Sequence, residues 1–111
     1  TLLAKAYGAY DQGKFGDAIE FFRRAGQDDA AVYLYMGNSY LATGDAENAI
    51  LLFDRVISEY DAFDDQAAWY LALGYLKKGN RKDAVKIFSR ISEGRSSHAA
   101  SAKKILSELT L

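Results

Sequence analysis

Apolar residues recur along the chain at the three- and four-residue spacing of amphipathic helices. In the middle of the chain one apolar stripe ends near Tyr40, and a second contains Ala49 and Phe53, four residues apart. Gly44 lies between the stripes, where glycine commonly ends a helix because it adopts the left-handed conformation cheaply. Asp45 follows and is a favoured N-cap residue for a second helix. This segment therefore predicts two helices joined by a tight turn.

The same pattern occurs three times along the chain. Three glycines align at spacings of 31 and 35 residues, and each is followed by Ala after five residues and by Phe after nine. The aligned positions are Gly13, Gly44 and Gly79, then Ala18, Ala49 and Ala84, then Phe22, Phe53 and Phe88. Repetition at this period predicts a solenoid, in which each unit buries its apolar face against its neighbours.

These residues resemble the signature of the tetratricopeptide repeat (TPR) family, over nearly the whole chain. The middle copy carries it at Tyr33, Met36, Gly37, Tyr40, Gly44, Ala49, Phe53 and Val56. The third copy carries it at Leu71, Ala72, Tyr75, Gly79, Ala84, Phe88 and Ile91. The first copy departs from it, with Lys5 in place of Leu and Ala9 in place of Tyr. The resemblance implies an all-α fold, a right-handed α-solenoid of three TPR helix-turn-helix units.

We expect a single TPR domain over residues 1–111. Its repeats would span about residues 1–27, 29–60 and 64–93, followed by a C-terminal capping helix over about residues 96–110. Ala102 and Leu106 belong to an apolar stripe in that last segment, with Ser96 or Ser97 as the expected cap. Such a helix would cover the apolar face that the last repeat leaves open. Asp61 stands where a proline often closes a repeat of this family.

Composition limits the classes of partner. Half of the 111 residues are hydrophobic and the net charge is −1, with Lys and Arg dispersed, so we expect neither nucleic-acid binding nor direct membrane insertion. The chain has no Cys and one His, His98, which alone cannot form a metal site. Because the chain begins at Thr1 rather than Met, we expect a fragment or a processed product.

A candidate nucleotide site does not survive comparison with the repeat. Gly8, Gly13 and Lys14 have the spacing of a phosphate-binding loop, but Phe15 follows where such a loop needs Ser or Thr for magnesium. The repeat already explains Gly13 as the end of a helix. No nucleophile–base pair or paired carboxylates stand out, and the acidic residues lie at turns and helix starts. We therefore expect no enzyme activity, no catalytic residue, no metal and no cofactor.

The remaining class of function is the binding of another protein through the surface of the domain. The resemblance implies that the first helices of successive repeats line a concave groove for a peptide or helix of a partner protein. The expected groove residues are Tyr7, Tyr10, Tyr35, Asn38, Leu41, Trp69, Tyr70, Leu73 and Lys77. Tyr7, Tyr35 and Tyr70 recur in the groove column, and tyrosine suits interfaces because it is large, stiff and tolerant of water. The basic clamp with which some family members bind acidic chaperone tails has no counterpart here.

Two alternatives to a foreign partner stay open. The domain could self-associate, as a homodimer or by docking another segment of its own protein, or it could serve as a scaffold in bacterial cell-envelope assembly. The segment around Asp61 and Trp69 resembles bacterial envelope TPR proteins and the C-terminal parts of larger, membrane-anchored ones. We accordingly expect a bacterial origin, in the cytoplasm or periplasm or as a soluble part of a membrane-anchored protein.

Overall fold

A computed structural model describes residues 1–110 of the chain. Seven α-helices and no strand occur in this range. They are α1 (Leu2–Asp11), α2 (Phe15–Ala25), α3 (Ala30–Ala42), α4 (Ala46–Glu59), α5 (Asp64–Lys78), α6 (Arg81–Glu93) and α7 (Ala99–Leu109). Each helix packs against the next, and α3 also packs against α5, in a body of 46 × 27 × 21 Å. The predicted all-α solenoid of three helix pairs and a closing helix is confirmed.

The turn inside each pair has the predicted chemistry. Gly13, Gly44 and Gly79 have φ values of 74°, 88° and 87°, in the left-handed region that favours glycine. Asp45 then caps α4 by accepting the N–H of Asn48, and Asn80 caps α6 by accepting the N–H of Asp83. In the first repeat Lys14 holds the N-cap position without a side-chain hydrogen bond.

The core consists of the small and large residues that recur in the second helix of each pair. Ala18, Ala49 and Ala84 are fully buried, and so are Phe22, Phe53 and Phe88. Burying one such phenylalanine contributes about 1.5–3 kcal/mol. Because the small residue permits close approach and the ring fills the space beside it, each repeat contributes the same packing unit.

The connection between the second and third repeats has a less regular backbone. Tyr60 is extended, and Phe63 precedes α5 with a φ of 66°, the only non-glycine residue among 1–110 at positive φ. This conformation is costly for an aromatic side chain. The shorter connection after α2 is conventional, because Gly26 ends that helix and Asp29 caps α3 by accepting the N–H of Val32 at 2.9 Å.

The closing helix is shorter than predicted. It begins at Ala99, and its N-cap is His98 rather than Ser96 or Ser97. Ser96 forms a turn ahead of the helix: its Oγ accepts the N–H of His98, and its carbonyl accepts the N–H of Ala99. The buried face of α7 centres on Ala102, which lies in one cluster with Phe88. This helix covers the open side of the third repeat, as the terminal element of a solenoid must.

Candidate partner-binding groove

The inner face formed by α1, α3 and α5 contains a cavity of about 640 Å³, here called the groove. Ten residues line it: Tyr7, Tyr10, Asp11, Ala31, Leu34, Tyr35, Asn38, Phe63, Gln66 and Tyr70. Half of them are aromatic, and most come from the first helices of the three repeats. The solenoid thus gathers side chains far apart in sequence around one concave surface.

Tyrosine rings from α1 and α3 form an interlocked wall. Tyr35 packs edge-to-face on Tyr7, with ring centroids 5.1 Å apart, and on Tyr10 at 4.8 Å. Tyr7 also packs edge-to-face on the buried ring of Phe22 at 5.1 Å. Such ring pairs contribute about 0.5–1.5 kcal/mol each beyond the area that they bury. The wall is therefore held in place by the core of the first repeat.

The α5 side of the groove is likewise supported by a core phenylalanine. Tyr70 on α5 stacks on Phe53 at 5.8 Å with an angle of 25° between the rings. Phe53 is the buried phenylalanine of the second repeat. The four groove tyrosines, Tyr7, Tyr10, Tyr35 and Tyr70, are half-buried: part of each side chain contacts the core and part lines the cavity.

The polar groups of the groove are neutral or acidic. Burial raises the pKa of the Tyr7 hydroxyl, and the Asp29 carboxylate raises it further. The pKa of Tyr10 is also raised by burial, against a hydrogen bond with Asn38 that lowers it. Both hydroxyls therefore stay protonated at neutral pH. Asp11 is the one acidic residue among the ten that line the cavity.

Asn38 carries an unsatisfied atom. Its Nδ2 donates to the Tyr10 hydroxyl at 3.5 Å, the outer limit of a hydrogen bond. Its Oδ1 is buried and has no hydrogen-bond partner among residues 1–110. A buried acceptor without a donor costs about 1–3 kcal/mol. Asn38 Oδ1 therefore stands to gain from any donor that reaches it.

Five of the nine residues expected in the groove line it: Tyr7, Tyr10, Tyr35, Asn38 and Tyr70. The other four lie elsewhere. Leu41 is in the core with 8% of its surface exposed, and Leu73 packs between two core clusters. Trp69 packs on Phe88 and stacks on His98 at 4.9 Å, beneath α7. Lys77 is exposed in the last turn of α5 and does not line the cavity.

The groove tyrosines do not all occupy the same position of the repeat. Tyr35 and Tyr70 each lie nine residues before the glycine of their repeat, whereas Tyr7 lies only six before Gly13. The residue equivalent to Tyr7 in the second repeat is Asn38. The groove tyrosines thus come from two different columns that face the same cavity.

Five lining residues lie outside the nine expected ones: Asp11, Ala31, Leu34, Phe63 and Gln66. A signal for Asp11 existed, because it follows Tyr7 by four residues and so lies on the same helix face. Phe63 gave none, since it belongs to a connection without periodicity and is directed by its left-handed backbone.

A second cavity, of about 390 Å³, lies on the outer side between α4, α5 and α6. Ile57 and Ile87 line it together with acidic and basic side chains, among them Asp54 and Arg90. Burial raises the pKa of the Asp54 carboxyl. This surface mixes both signs of charge and shares no residue with the groove.

Residues 1–110 contain no cluster of three metal-ligating side chains. No helix in this part of the chain is long and apolar enough to cross a membrane.

Known proteins place the chain in a family. No curated protein sequence matches it significantly. Among solved structures it is similar to PcrH in a crystal structure with the chaperone-binding region of PopD, at a TM-score of 0.83 and 24% identity, over 98% of this chain and 88% of that one. It is also similar to SycD, the type III secretion translocator chaperone of Yersinia enterocolitica. The TM-score is 0.83 and the sequence identity 19%, and the match covers 98% of this chain and 81% of that one. At these identities the likeness establishes the fold. A family profile described as tetratricopeptide repeat matches residues 3–67 and 36–100. The chain therefore belongs to the tetratricopeptide repeat family.

Proposed function

We propose that this domain is a non-catalytic protein-interaction module that holds an extended peptide or a helix of a partner protein in the groove. The observation that supports this most is the set of half-buried tyrosines around one open cavity, next to the unpartnered Oδ1 of Asn38. The proposed contacts are the five expected residues that line the cavity, together with Phe63 and Gln66.

Aromatic surface of this kind favours binding. Tyrosines are enriched at the energetic centres of interfaces, because they bury a large area with little loss of side-chain freedom. Tyr7 and Tyr35 are already fixed by ring contacts, so ordering them on binding costs little. Phe63 adds an apolar side chain that is 40% exposed at the cavity.

Asn38 offers a backbone contact. Its side chain lines the cavity and is held only by the 3.5 Å interaction with Tyr10, so its amide is available to accept an N–H from a bound peptide. The same amide can donate to a peptide carbonyl. A polar anchor within an apolar surface fixes the register of a peptide.

The similarity to PcrH is consistent with this function. That solenoid was crystallised in complex with a region of PopD, a protein segment. The present chain shares the fold over nearly its full length, which is why the same class of ligand is proposed for it.

The proposal is tested by selecting a random displayed peptide library against residues 1–111. Enriched peptides should bind wild type and lose about tenfold or more in affinity with Tyr35→Ala or Asn38→Ala. Ile57→Ala, in the outer cavity, is the matched control and should change affinity less than about twofold. Circular dichroism verifies that each variant is folded.

The proposal fails if no peptide is enriched, or if binding depends on Ile57 and not on the groove. Light scattering over a range of protein concentrations separates self-association from peptide binding. A dimer that Tyr35→Ala dissociates would assign the groove to a second copy of the chain instead.

A further inference from the structure

Three features of the groove favour positive charge: its aromatic rings, one carboxylate and an unpartnered amide oxygen. The faces of aromatic rings carry negative potential, and four tyrosines and one phenylalanine surround the cavity. Asp11 contributes the one acidic side chain of the lining, and Asn38 contributes an unpartnered acceptor. None of the ten lining residues is Lys, Arg or His.

Elsewhere in the chain, an arginine side chain packs over a tyrosine ring. On the outer side, the guanidinium of Arg55 lies 4.5 Å from the ring centroid of Tyr33, and the same group pairs with Asp28 and Glu59. That site combines an aromatic face with carboxylates and supplies its own cation. The groove has the aromatic faces and a carboxylate, and within residues 1–110 no cation lies over its tyrosines.

Neighbouring carboxylates raise the pKa values of two groove tyrosines. After burial, the largest influence that raises the pKa of Tyr7 is the charge of Asp29, and Asp11 contributes to the raised pKa of Tyr10. Asp29 is fixed in place as the cap of α3. Both carboxylates therefore favour a positive charge near this wall.

We propose that the groove selects its partner segment through a Lys or Arg side chain, whose cation lies against the rings of Tyr7, Tyr10 and Tyr35 beside Asp11. This proposal rests on the proposed function, peptide binding in the groove, and adds the chemistry of the peptide. The apolar lining residues Ala31, Leu34 and Phe63 suit the aliphatic stem of that side chain and an adjacent apolar residue. A cavity of about 640 Å³ lies within the range of ordinary ligand pockets, about 300–1,000 Å³. The expected ligand is an apolar peptide segment with a basic residue at its centre.

The first test uses the peptides recovered from the random library. Peptides that depend on Tyr35 and Asn38 should contain Lys or Arg more often than the starting library. In each such peptide, replacing Arg by citrulline removes the charge and keeps the shape, and should weaken binding by about 3- to 30-fold.

The second test uses variants of the domain with the same peptide pairs. Asp11→Asn should reduce the preference for Arg over citrulline, whereas Glu20→Gln, an equal charge change on an exposed site of α2, should leave it intact. Tyr35→Phe keeps the aromatic face and should keep the preference. Tyr35→Leu removes the face and should lose it.

The outcomes separate the two proposals. If groove-dependent peptides show no excess of basic residues, or if citrulline peptides bind as well as Arg peptides, selection by charge is overturned and peptide binding in the groove stands. If no recovered peptide depends on the groove, both proposals are overturned.

Discussion

Gly37 on α3 lies directly against the ring of Phe53 on α4: a Cβ built on Gly37 would come within 2.6 Å of Phe53 Cε1. A real side-chain carbon does not tolerate this distance, so the two helices can pack this closely only because the residue is glycine. Gly8 on α1 is the opposite case, since nothing lies within 4 Å of a Cβ built there. The two helical glycines therefore have different roles.

Gly37→Ala and Gly8→Ala should change stability in opposite directions. Alanine at 37 would displace the fully buried Phe53 and lower the free energy of unfolding by about 1–3 kcal/mol, despite its better helix propensity. Alanine at 8 should raise that free energy by about 0.5–1 kcal/mol. Urea unfolding followed by circular dichroism measures both. Equal stabilisation by the two changes would contradict the close packing at Gly37.

Phe63 stores backbone strain at the edge of the groove. Phe63→Ala and Phe63→Gly both remove the ring, but only glycine adopts a φ of 66° without cost. The glycine variant should therefore be more stable than the alanine variant by about 1 kcal/mol. Thermal unfolding of the pair is the measurement, and an alanine variant as stable as the glycine variant would refute the strain.

The Asp45 cap should give a pH-dependent contribution to stability. Hydrogen bonds from the side chain and then the backbone of Asn48 lower the pKa of Asp45 below its ordinary value of 3.8. Its stabilisation is therefore fully present above that value and is lost as pH falls through the lower folded-state pKa. At neutral pH, Asp45→Ala should lower the free energy of unfolding by about 1 kcal/mol, and Asp45→Asn should change it less.

The same variants test the ionisation directly. Wild type should lose stability relative to Asp45→Asn between neutral pH and about pH 3, because asparagine keeps an acceptor that does not titrate. Urea unfolding at both pH values provides the comparison. A constant difference across this range would argue against an ionised cap.

The docking of α7 can be followed through the only tryptophan of the chain. Trp69 stacks on His98 and packs against the core cluster that contains Phe88 and the fully buried Ala102. Ala102→Asp would bury a charge, so α7 should detach and Trp69 emission should shift to the red. Ala100→Asp, on the exposed side of α7, should leave the emission unchanged. An identical spectrum for all three proteins would show that α7 does not cover Trp69 in solution.

Asn38 should contribute to binding at the expense of stability. Asn38→Leu removes a buried acceptor without a donor, so the free energy of unfolding should stay constant or rise by about 1 kcal/mol, while affinity for groove peptides falls. The neighbouring Ser39→Ala is the contrast, because that fully buried hydroxyl donates to the Tyr35 carbonyl at 2.9 Å. Losing this bond should cost about 1 kcal/mol. A large destabilisation by Asn38→Leu would indicate that the amide serves the fold.

Much of the architecture was accessible from the sequence because its causes are local. The glycines at 13, 44 and 79, the caps at 45 and 80, and the recurring Ala–Phe spacing each act within one helix pair. The inner face of the first helices, where Tyr35 and Tyr70 lie, was expected from the resemblance to the TPR family and not from periodicity. Three copies of one pattern also made the repeat more reliable than a single motif, such as the loop-like spacing of Gly8, Gly13 and Lys14.

Periodicity could not decide which inner-face residues stay accessible. Trp69 and Tyr70 are adjacent on α5, yet one is covered by α7 and the other lines the groove, because successive helix positions point about 100° apart. Leu41 is buried by neighbouring helices, which the repeat pattern does not reveal. Phe63 reaches the cavity through a backbone conformation that its residue type disfavours. The local pattern thus determined the helices and their pairing, whereas exposure, and with it the groove, was decided by contacts between elements distant in sequence.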